Sequence, residues 1–288
     1  MKRVLGILFV TLMASGAAAQ QPPPLFATTK ITDNVYLFRY QFHQAMFIVT
    51  PEGVIATDPI AYLRPQAAKT YLEEIRRITQ APIRYLVYSH HHYDHIAGGW
   101  PFKEAGATVV AHRNARTRLL ELGNPDIPLP DVVVDDFYAI ELGGVRLELH
   151  YAGRNHSDNS LLMLLPGEKL AFTVDFVSFG SVLFRDLPDG FIPDWFASLE
   201  RVLQLDWDRM IAGHPIPGGR LGNKDDVHAQ LAYMSDLSQA VREAAAQGKC
   251  WDAAMKEVRL PKYEGLANYA AYLPMNIARF CSYWGRGY

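Results

Sequence analysis

Short apolar runs separated by turn residues cover most of the first half of the chain. Aromatic and β-branched side chains dominate these runs, which is typical of β-strands. Residues 65–79 differ, because their apolar side chains recur at the spacing of one helix face. The pattern predicts helices at residues 65–79 and 100–105, and strands at residues 35–40, 46–50, 54–57, 83–88 and 108–111.

A similar order of elements returns in the second half. Turn pairs such as Gly143-Gly144 and Pro166-Gly167 separate the apolar runs, and the composition becomes helical after Gly222. The pattern predicts helices at residues 195–205 and 225–247, and strands at residues 135–142, 145–151, 160–165, 170–173 and 209–212. Two similar halves that mix strands and helices indicate an α/β protein with two sheets, each covered by helices on its outer face.

The domain boundaries follow from the same pattern. No linker is long enough to separate independent domains. We therefore expect one core at residues 20–223 and a helical C-terminal segment at residues 224–288 that packs on the same domain. With 49% hydrophobic residues, the chain has enough apolar surface for a sizeable core.

Residues 1–19 have the pattern of a signal peptide. Lys2 and Arg3 precede a short apolar run at residues 4–13, and the small residues 17–19 offer a cleavage site. The run is shorter than a bilayer span requires, so an uncleaved anchor is the less favoured alternative. We expect a periplasmic or secreted protein that has no membrane contact after cleavage.

Charge and cysteine content narrow the partners only a little. The formal net charge is −2, so no strong positive field would attract nucleic acid or an anionic membrane. We expect a small-molecule substrate, and the oligomeric state stays open. Cys250 and Cys281 form a disulfide in an oxidising compartment, or they are two buried thiols; both alternatives stay open.

A cluster of metal-binding side chains follows the apolar run at residues 83–88. It contains His90, His92, Asp94 and His95, with His91 and Tyr93 between them. Side chains two apart on an extended segment point the same way, so His90 and His92 can reach one ion. A turn lets Asp94 and His95 reach another. Imidazole and carboxylate are the ligands of catalytic zinc sites, although iron or manganese would also fit.

Three further candidates follow apolar strands later in the chain. His156 lies in a loop after the strand at residues 145–151 and would complete three histidines on the first ion. Asp175 follows the strand at residues 170–173 and is placed to bridge two ions. His214, in a Gly-His pair after the last strand, would complete the second ion. Loops at strand ends are where a rigid scaffold collects functional residues.

This ordered set resembles the metallo-β-lactamase superfamily, which carries a His-x-His-x-Asp-His motif, a later loop His, a strand-end Asp and a final Gly-His. The resemblance covers residues 31–215 and implies an αβ/βα four-layer sandwich with two zinc ions at one edge. It also implies that Asp58 supports the metal loop by hydrogen bonding. The implied ligands are His90, His92 and His156 for one ion, Asp94, His95 and His214 for the other, and Asp175 as the bridge.

The activity implied by the resemblance is hydrolysis of a carbonyl substrate by a metal-bound hydroxide. Asp94 would be the catalytic residue that orients the nucleophile or moves a proton to the leaving group. The loops around the metals should determine specificity. The predicted substrate-binding residues are His43, Tyr93, Asn159, Phe184 and Arg185.

Three hypotheses about function stay open, two enzymes with different substrates and one accessory protein. A β-lactamase-like hydrolase of a cyclic amide is favoured, because export would place it where β-lactams act. A lactonase or thioesterase is the first alternative, because Asp175 matches the bridging Asp of lactonase-like members. Lactamases with a cysteine ligand have Cys near this strand end, whereas this sequence has none, which counts against that lactamase subclass. A metal-binding accessory protein of a periplasmic quinoprotein oxidation system is the second alternative.

Overall fold

The structure is a computed structural model that describes residues 24–287. The predicted signal peptide at residues 1–19 lies outside the described residues. Seven strands form the first sheet in the order β1 to β7: Phe26–Lys30, Val35–Tyr40, His43–Thr50, Gly53–Thr57, Ile83–Val87, Thr108–His112 and Val132–Val134. The first four strands pair antiparallel and the remaining pairs are parallel.

Five strands form the second sheet in the order β12, β11, β10, β9, β8. Only β11 and β12 pair parallel in this sheet. In chain order, β8 to β12 span Phe137–Leu142, Val145–Tyr151, Leu161–Leu165, Leu170–Thr173 and Arg209–Ala212. The carboxyl ends of parallel strands from both sheets therefore supply several loops at one edge, where α/β proteins commonly place their sites.

Eight α-helices cover these sheets within residues 24–287. They are α1 Ala67–Ile78, α2 Tyr93–Ile96, α3 Trp100–Glu104, α4 Arg113–Leu122, α5 Ile192–Gln204, α6 Lys224–Ala246, α7 Asp252–Glu257 and α8 Tyr269–Arg286. None of the helices in this part of the chain combines the length and the hydropathy that a bilayer span requires.

Three apolar clusters hold the layers together. The middle cluster joins residues of both sheets, such as Ile48 and Val87 of the first and Leu149 and Phe172 of the second. A second cluster packs the first sheet against α1 to α4, and a third packs the second sheet against α5 to α8. The order helix, sheet, sheet, helix confirms the predicted αβ/βα four-layer sandwich with a helical C-terminal segment.

One difference from the predicted elements matters for the site. We predicted a strand from residue 46 and a loop around His43, whereas β3 begins at His43 itself. Only Gln41 and Phe42 separate β2 from β3, and Gln41 takes a left-handed φ of 52° that closes this tight turn. His43 is thus held in a sheet register opposite Tyr40.

The two cysteines lie in the C-terminal segment and are free thiols in the structure. Cys281 is buried, and the Cys281 sulfur accepts a hydrogen bond from the backbone N–H of Trp251 at 3.2 Å. Burial and the neighbouring Cys250 raise the pKa of the Cys281 thiol to about 12. Of the two alternatives, the structure contains the pair of thiols.

Candidate metal centre

The metal loop at residues 88–96 follows β5 and is held from beneath by Asp58, at the end of β4. The Asp58 carboxylate accepts a hydrogen bond from the Ser89 N–H at 2.8 Å, and the Ser89 hydroxyl lies 3.0 Å from His90 Nδ1. Burial raises the pKa of Asp58 to about 6. The predicted support of the loop by Asp58 is confirmed, and it leaves His90 Nε2 directed away from Ser89.

The first group of candidate ligands contains His90, His92, His156 and Asp175. One donor atom from each lies within 4.8 Å of the others. His156 Nε2 is 3.0 Å from His92 Nδ1, and Asp175 Oδ2 is 3.5 Å from both His90 Nε2 and His156 Nε2. The structure therefore brings together the three histidines predicted for one ion.

The second group contains Asp94, His95, His214 and also His43, again with donor atoms within 4.8 Å of one another. Asp94 Oδ2 lies 3.1 Å from His43 Nε2 and 3.3 Å from His95 Nε2. The Asp175 carboxylate reaches this group too, with Oδ2 at 3.2 Å from His95 Nε2 and Oδ1 at 2.9 Å from His214 Nε2. Asp175 thus faces both groups, in the position predicted for a bridge.

The chemistry of the two groups fits metal ions. Carboxylate oxygens lie 3.2 to 3.5 Å from the buried atoms His90 Nε2 and His95 Nε2, but neither nitrogen forms a well-directed hydrogen bond in the described structure. This is costly for polar atoms unless a further group satisfies them. Burial lowers the pKa of His156 to about 4, so this imidazole is neutral at pH 7, as a ligand must be. Burial also opposes a proton on His95, but Asp175 and Asp94 outweigh it and raise the pKa of His95. The two carboxylates therefore favour positive charge here.

Glycine is required where the second sheet presents His214. A Cβ on Gly213 would lie 2.7 Å from Val174 Cγ1, closer than side chains normally approach. The Gly213 N–H donates to the Thr173 carbonyl at 2.9 Å, which keeps the ends of β11 and β12 side by side. This close approach sets His214 beside Asp175, which adopts a left-handed φ of 64°.

Asp189 was not among the predicted residues, yet it contacts the first group from outside. Its Oδ2 lies 2.9 Å from His92 Nε2, the ring nitrogen opposite the one that faces His156. A carboxylate on the outer nitrogen of a metal-binding histidine fixes the ring orientation and strengthens the ligand. Asp189 lies 97 residues beyond His92 in an irregular loop, and no local motif marks it.

We expect Asp189→Asn to weaken binding of the ion in the first group, which contains His92, by roughly 10- to 100-fold. This is the usual effect of losing such an outer partner. The amide lacks the charge that supports the His92 ring. Competition with a chromogenic chelator measures the affinity of each ion. The control is Asp186→Asn, an exposed carboxylate on the same loop, which should leave both affinities unchanged. Equal affinities for wild-type and Asp189→Asn protein would contradict this role.

The predicted substrate-binding residues have different surroundings. Asn159 is fully buried, and its side chain hydrogen bonds His91, accepting from the backbone N–H and donating to Nδ1, both at 2.9 Å. Through these contacts the Asn159 side chain supports the metal loop, and its substrate-binding role stays a prediction. His91, predicted as a non-ligand, is held by these contacts with its ring tilted against that of His92, with centroids 4.6 Å apart.

Tyr93 is half-buried in α2, where its ring packs edge-on against Tyr62 with centroids 6.2 Å apart. Phe184 is exposed and packs against Tyr272 of α8, and the Arg185 guanidinium lies over the Phe184 ring. Within residues 24–287, no ion pair or ring contact joins Phe184 or Arg185 to the two metal groups. Their substrate-binding role stays a prediction.

Comparison with known proteins agrees with this fold. Residues 51–214 match the family model of the metallo-beta-lactamase superfamily, a segment that includes every predicted ligand. The chain therefore belongs to the metallo-beta-lactamase superfamily, whose members are generally hydrolases and typically bind zinc. His43 lies outside the matched segment.

Relatives in sequence are distant. The chain is 24% identical over 193 residues to the 2,4-dinitroanisole O-demethylase subunit alpha of Nocardioides sp. (strain JS1661), which covers 66% of this chain and 58% of the relative. It is 24% identical over 175 residues to the metallo-beta-lactamase type 2 of Bacillus cereus, covering 59% of this chain and 66% of the relative. The matched part thus spans less than two thirds of each relative.

Solved structures show the same fold. A metallo-beta-lactamase from Pontibacter korlensis superposes with a TM-score of 0.64 at 20% identity, covering 73% of this chain and 99% of the other. The DIM-1 metallo-beta-lactamase gives a TM-score of 0.62 at 17% identity, with 74% and 98% covered. These similarities confirm the architecture.

Proposed function

We propose that this protein is a zinc-dependent hydrolase of carbonyl compounds with two ions in adjacent positions, and that a cyclic amide of the β-lactam type is its first candidate substrate. One observation carries the proposal: the Asp175 carboxylate faces histidines of both ligand groups at 2.9 to 3.5 Å. A carboxylate shared between two clusters of imidazoles suits a pair of metal ions.

The two groups provide the residues that would hold these ions. The first position would be held by His90, His92 and His156, the second by Asp94, His95 and His214, with Asp175 between them. When bound, zinc supplies an acidified water and a Lewis acid for a carbonyl oxygen. The imidazoles and the carboxylates of the chain would hold that chemistry in one orientation.

Asp94 is placed to take part in the reaction itself. Its side chain is 37% exposed, whereas the His90 and His95 side chains are fully buried, so Asp94 lies on the open side of the second group. Burial opposes its ionisation, but His95 and the hydrogen bond with His43 outweigh burial and hold the pKa of Asp94 below its usual range. The ionised carboxylate can accept a hydrogen bond from a nucleophilic water, take up the proton that this water loses as it attacks, and deliver that proton to the leaving group.

Two lines of support favour a cyclic amide. The Bacillus cereus relative is a metallo-beta-lactamase, and the leader pattern of residues 1–19 favours export, which we propose for this chain. A lactone, ester or thioester is the second candidate. Asp175 favours this second candidate, because a carboxylate rather than a cysteine follows β11 and faces the histidines. Both cysteines lie in the C-terminal segment, away from this position.

A substrate panel on zinc-loaded protein tests the proposal. The panel contains a chromogenic cephalosporin, a homoserine lactone, a glutathione thioester and 2,4-dinitroanisole, the last because of the Nocardioides relative. Turnover of the cephalosporin supports the first candidate. Turnover of only the lactone or thioester supports the second. Inertness towards all four at full zinc occupancy contradicts a hydrolase and favours an accessory protein.

A further inference from the structure

His43 is an additional histidine in the second ligand group, and it comes from a part of the chain outside the segment that matches the superfamily. It begins β3 directly after the two-residue turn Gln41-Phe42. The other members of the group come from the loop after β5 and from the end of β12. The β2–β3 hairpin thus contributes a donor of its own.

Three hydrogen bonds fasten this hairpin end to the loop that carries His214. The Gln44 N–H donates to the Gly213 carbonyl at 2.7 Å, and the buried Gln44 side-chain amide donates to the Ala212 carbonyl at 2.8 Å. From the other side, His214 Nδ1 donates to the Phe42 carbonyl at 2.6 Å. The first sheet is therefore tied to the second beside the ligand group, and the backbone of His43 is held in place before any ion binds.

His43 lies as close to Asp94 as the predicted ligand His95 does. Two ligand atoms about 2.1 Å from one ion, at angles of about 90 to 110°, lie roughly 3.0 to 3.4 Å apart. His43 Nε2 is 3.1 Å from Asp94 Oδ2, and the corresponding distance for His95 Nε2 is 3.3 Å. The His43 ring also packs edge-on against His214 and tilted against His95, with centroids 4.5 and 5.2 Å apart.

The two ring nitrogens of His43 have different surroundings. His43 Nδ1 is buried and has no hydrogen-bond partner in the described structure, unlike the outer nitrogen of His92, which faces Asp189. Nε2 is therefore the His43 nitrogen that is placed to bind an ion. Nε2 faces Asp94 inside the ligand group.

We propose that His43 is a direct ligand of the metal ion in the second group, adding a third imidazole to those of His95 and His214. The proposal rests on the two-ion site proposed above. His43 would tie the β2–β3 hairpin to that ion. The second group then differs from the ligand set implied by the superfamily, because one donor comes from the start of β3 in the N-terminal part of the chain.

The competing role is a positioning one, in which His43 only holds Asp94 by a hydrogen bond. Two variants separate these roles. His43→Gln keeps an N–H donor near the place of Nε2 and would preserve a hydrogen bond to Asp94, but an amide is a poor zinc ligand. His43→Ala removes both interactions. Phe42→Ala is the matched control, since the Phe42 side chain is 78% exposed and its backbone carbonyl is kept.

Stepwise zinc affinities of full-length proteins, measured by chelator competition, give the first test. We expect both His43 variants to bind the second ion about 100-fold more weakly or worse, because even outer partners cost roughly 10- to 100-fold. The first ion and the Phe42→Ala variant should stay within a few-fold of wild type. Wild-type affinity in His43→Gln would overturn the proposal, because the amide would have restored a positioning role.

Cobalt-substituted protein gives a second test that does not depend on activity or affinity. Each imidazole bound to cobalt through one nitrogen shows a strongly shifted, exchangeable proton resonance from the other. We expect the fully loaded His43→Gln variant to show one such resonance fewer than wild type. An unchanged number overturns the proposal while leaving the two-ion site intact. Uptake of fewer than two ions by wild type would instead overturn the site itself, and this proposal with it.

Discussion

Asp175→Ala should empty at least one of the two metal positions and reduce hydrolysis by roughly 10³-fold or more, about 4 kcal/mol of transition-state stabilisation. Asp175 is the one predicted ligand whose carboxylate approaches histidines of both groups, at 2.9 Å from His214 and 3.2 Å from His95. Without the Asp175 carboxylate, the site lacks the negative charge that would offset repulsion between two cations only a few ångströms apart. Elemental analysis and the substrate found in the panel provide the two measurements.

Asp206→Ala is the matched control for this variant. Asp206 is an exposed carboxylate paired with Lys169, so it differs from Asp175 in having no contact with the ligand groups. Its loss should change neither metal content nor turnover. Full metal content and full activity in Asp175→Ala would contradict the bridging role.

Trp195→Ala should have the largest effect on stability of the substitutions considered, lowering the free energy of unfolding by about 3 to 5 kcal/mol. Trp195 lies in α5, is fully buried, and packs edge-on against the His156 ring with centroids 6.0 Å apart. Its indole N–H donates to the Phe176 carbonyl at 2.8 Å. Gln230 donates to the same carbonyl, so the cost arises chiefly from the cavity left by the indole ring.

Urea unfolding of metal-loaded protein measures this effect. The matched control is Trp100→Ala, the same substitution at a side chain that is 42% exposed and donates to the Pro125 carbonyl. We expect a loss below about 1.5 kcal/mol there, because partly exposed side chains leave no closed cavity. Similar losses for the two variants would show that Trp195 does not hold the second sheet against α5.

The sequence predicted the parts of the fold that depend on local pattern. Apolar runs of the two sheets, such as β2 and β9, lie at the predicted positions, because alternation and β-branching determine strands within a few residues. The sequence pattern missed α4, and it placed α8 only within the helical C-terminal segment without giving its bounds. The exposed face of α4 is rich in arginine, and Pro274 interrupts the sequence of α8, so tertiary packing rather than local propensity sets these two helices.

The site shows the same division between local and distant information. His90, His92, Asp94 and His95 lie within six positions, so their approach could be inferred from the chain alone. His43 and Asp189 could not be placed in this way, because hairpin register and an irregular loop bring them in from 51 and 97 residues away. The contact of Asn159 with His91 could not be inferred either, because the sequence distance of Asn159 from His156 does not reveal that its side chain turns inward.

Zinc content of the purified, full-length protein tests the central claim of two ion positions most directly. Our interpretation predicts about two zinc ions per wild-type chain and about one in each of His92→Ala and His214→Ala, since these histidines belong to different groups. His228→Ala, an exposed histidine on α6, should retain both ions. An unchanged zinc content in both His92→Ala and His214→Ala, or no zinc in wild type, would contradict the claim.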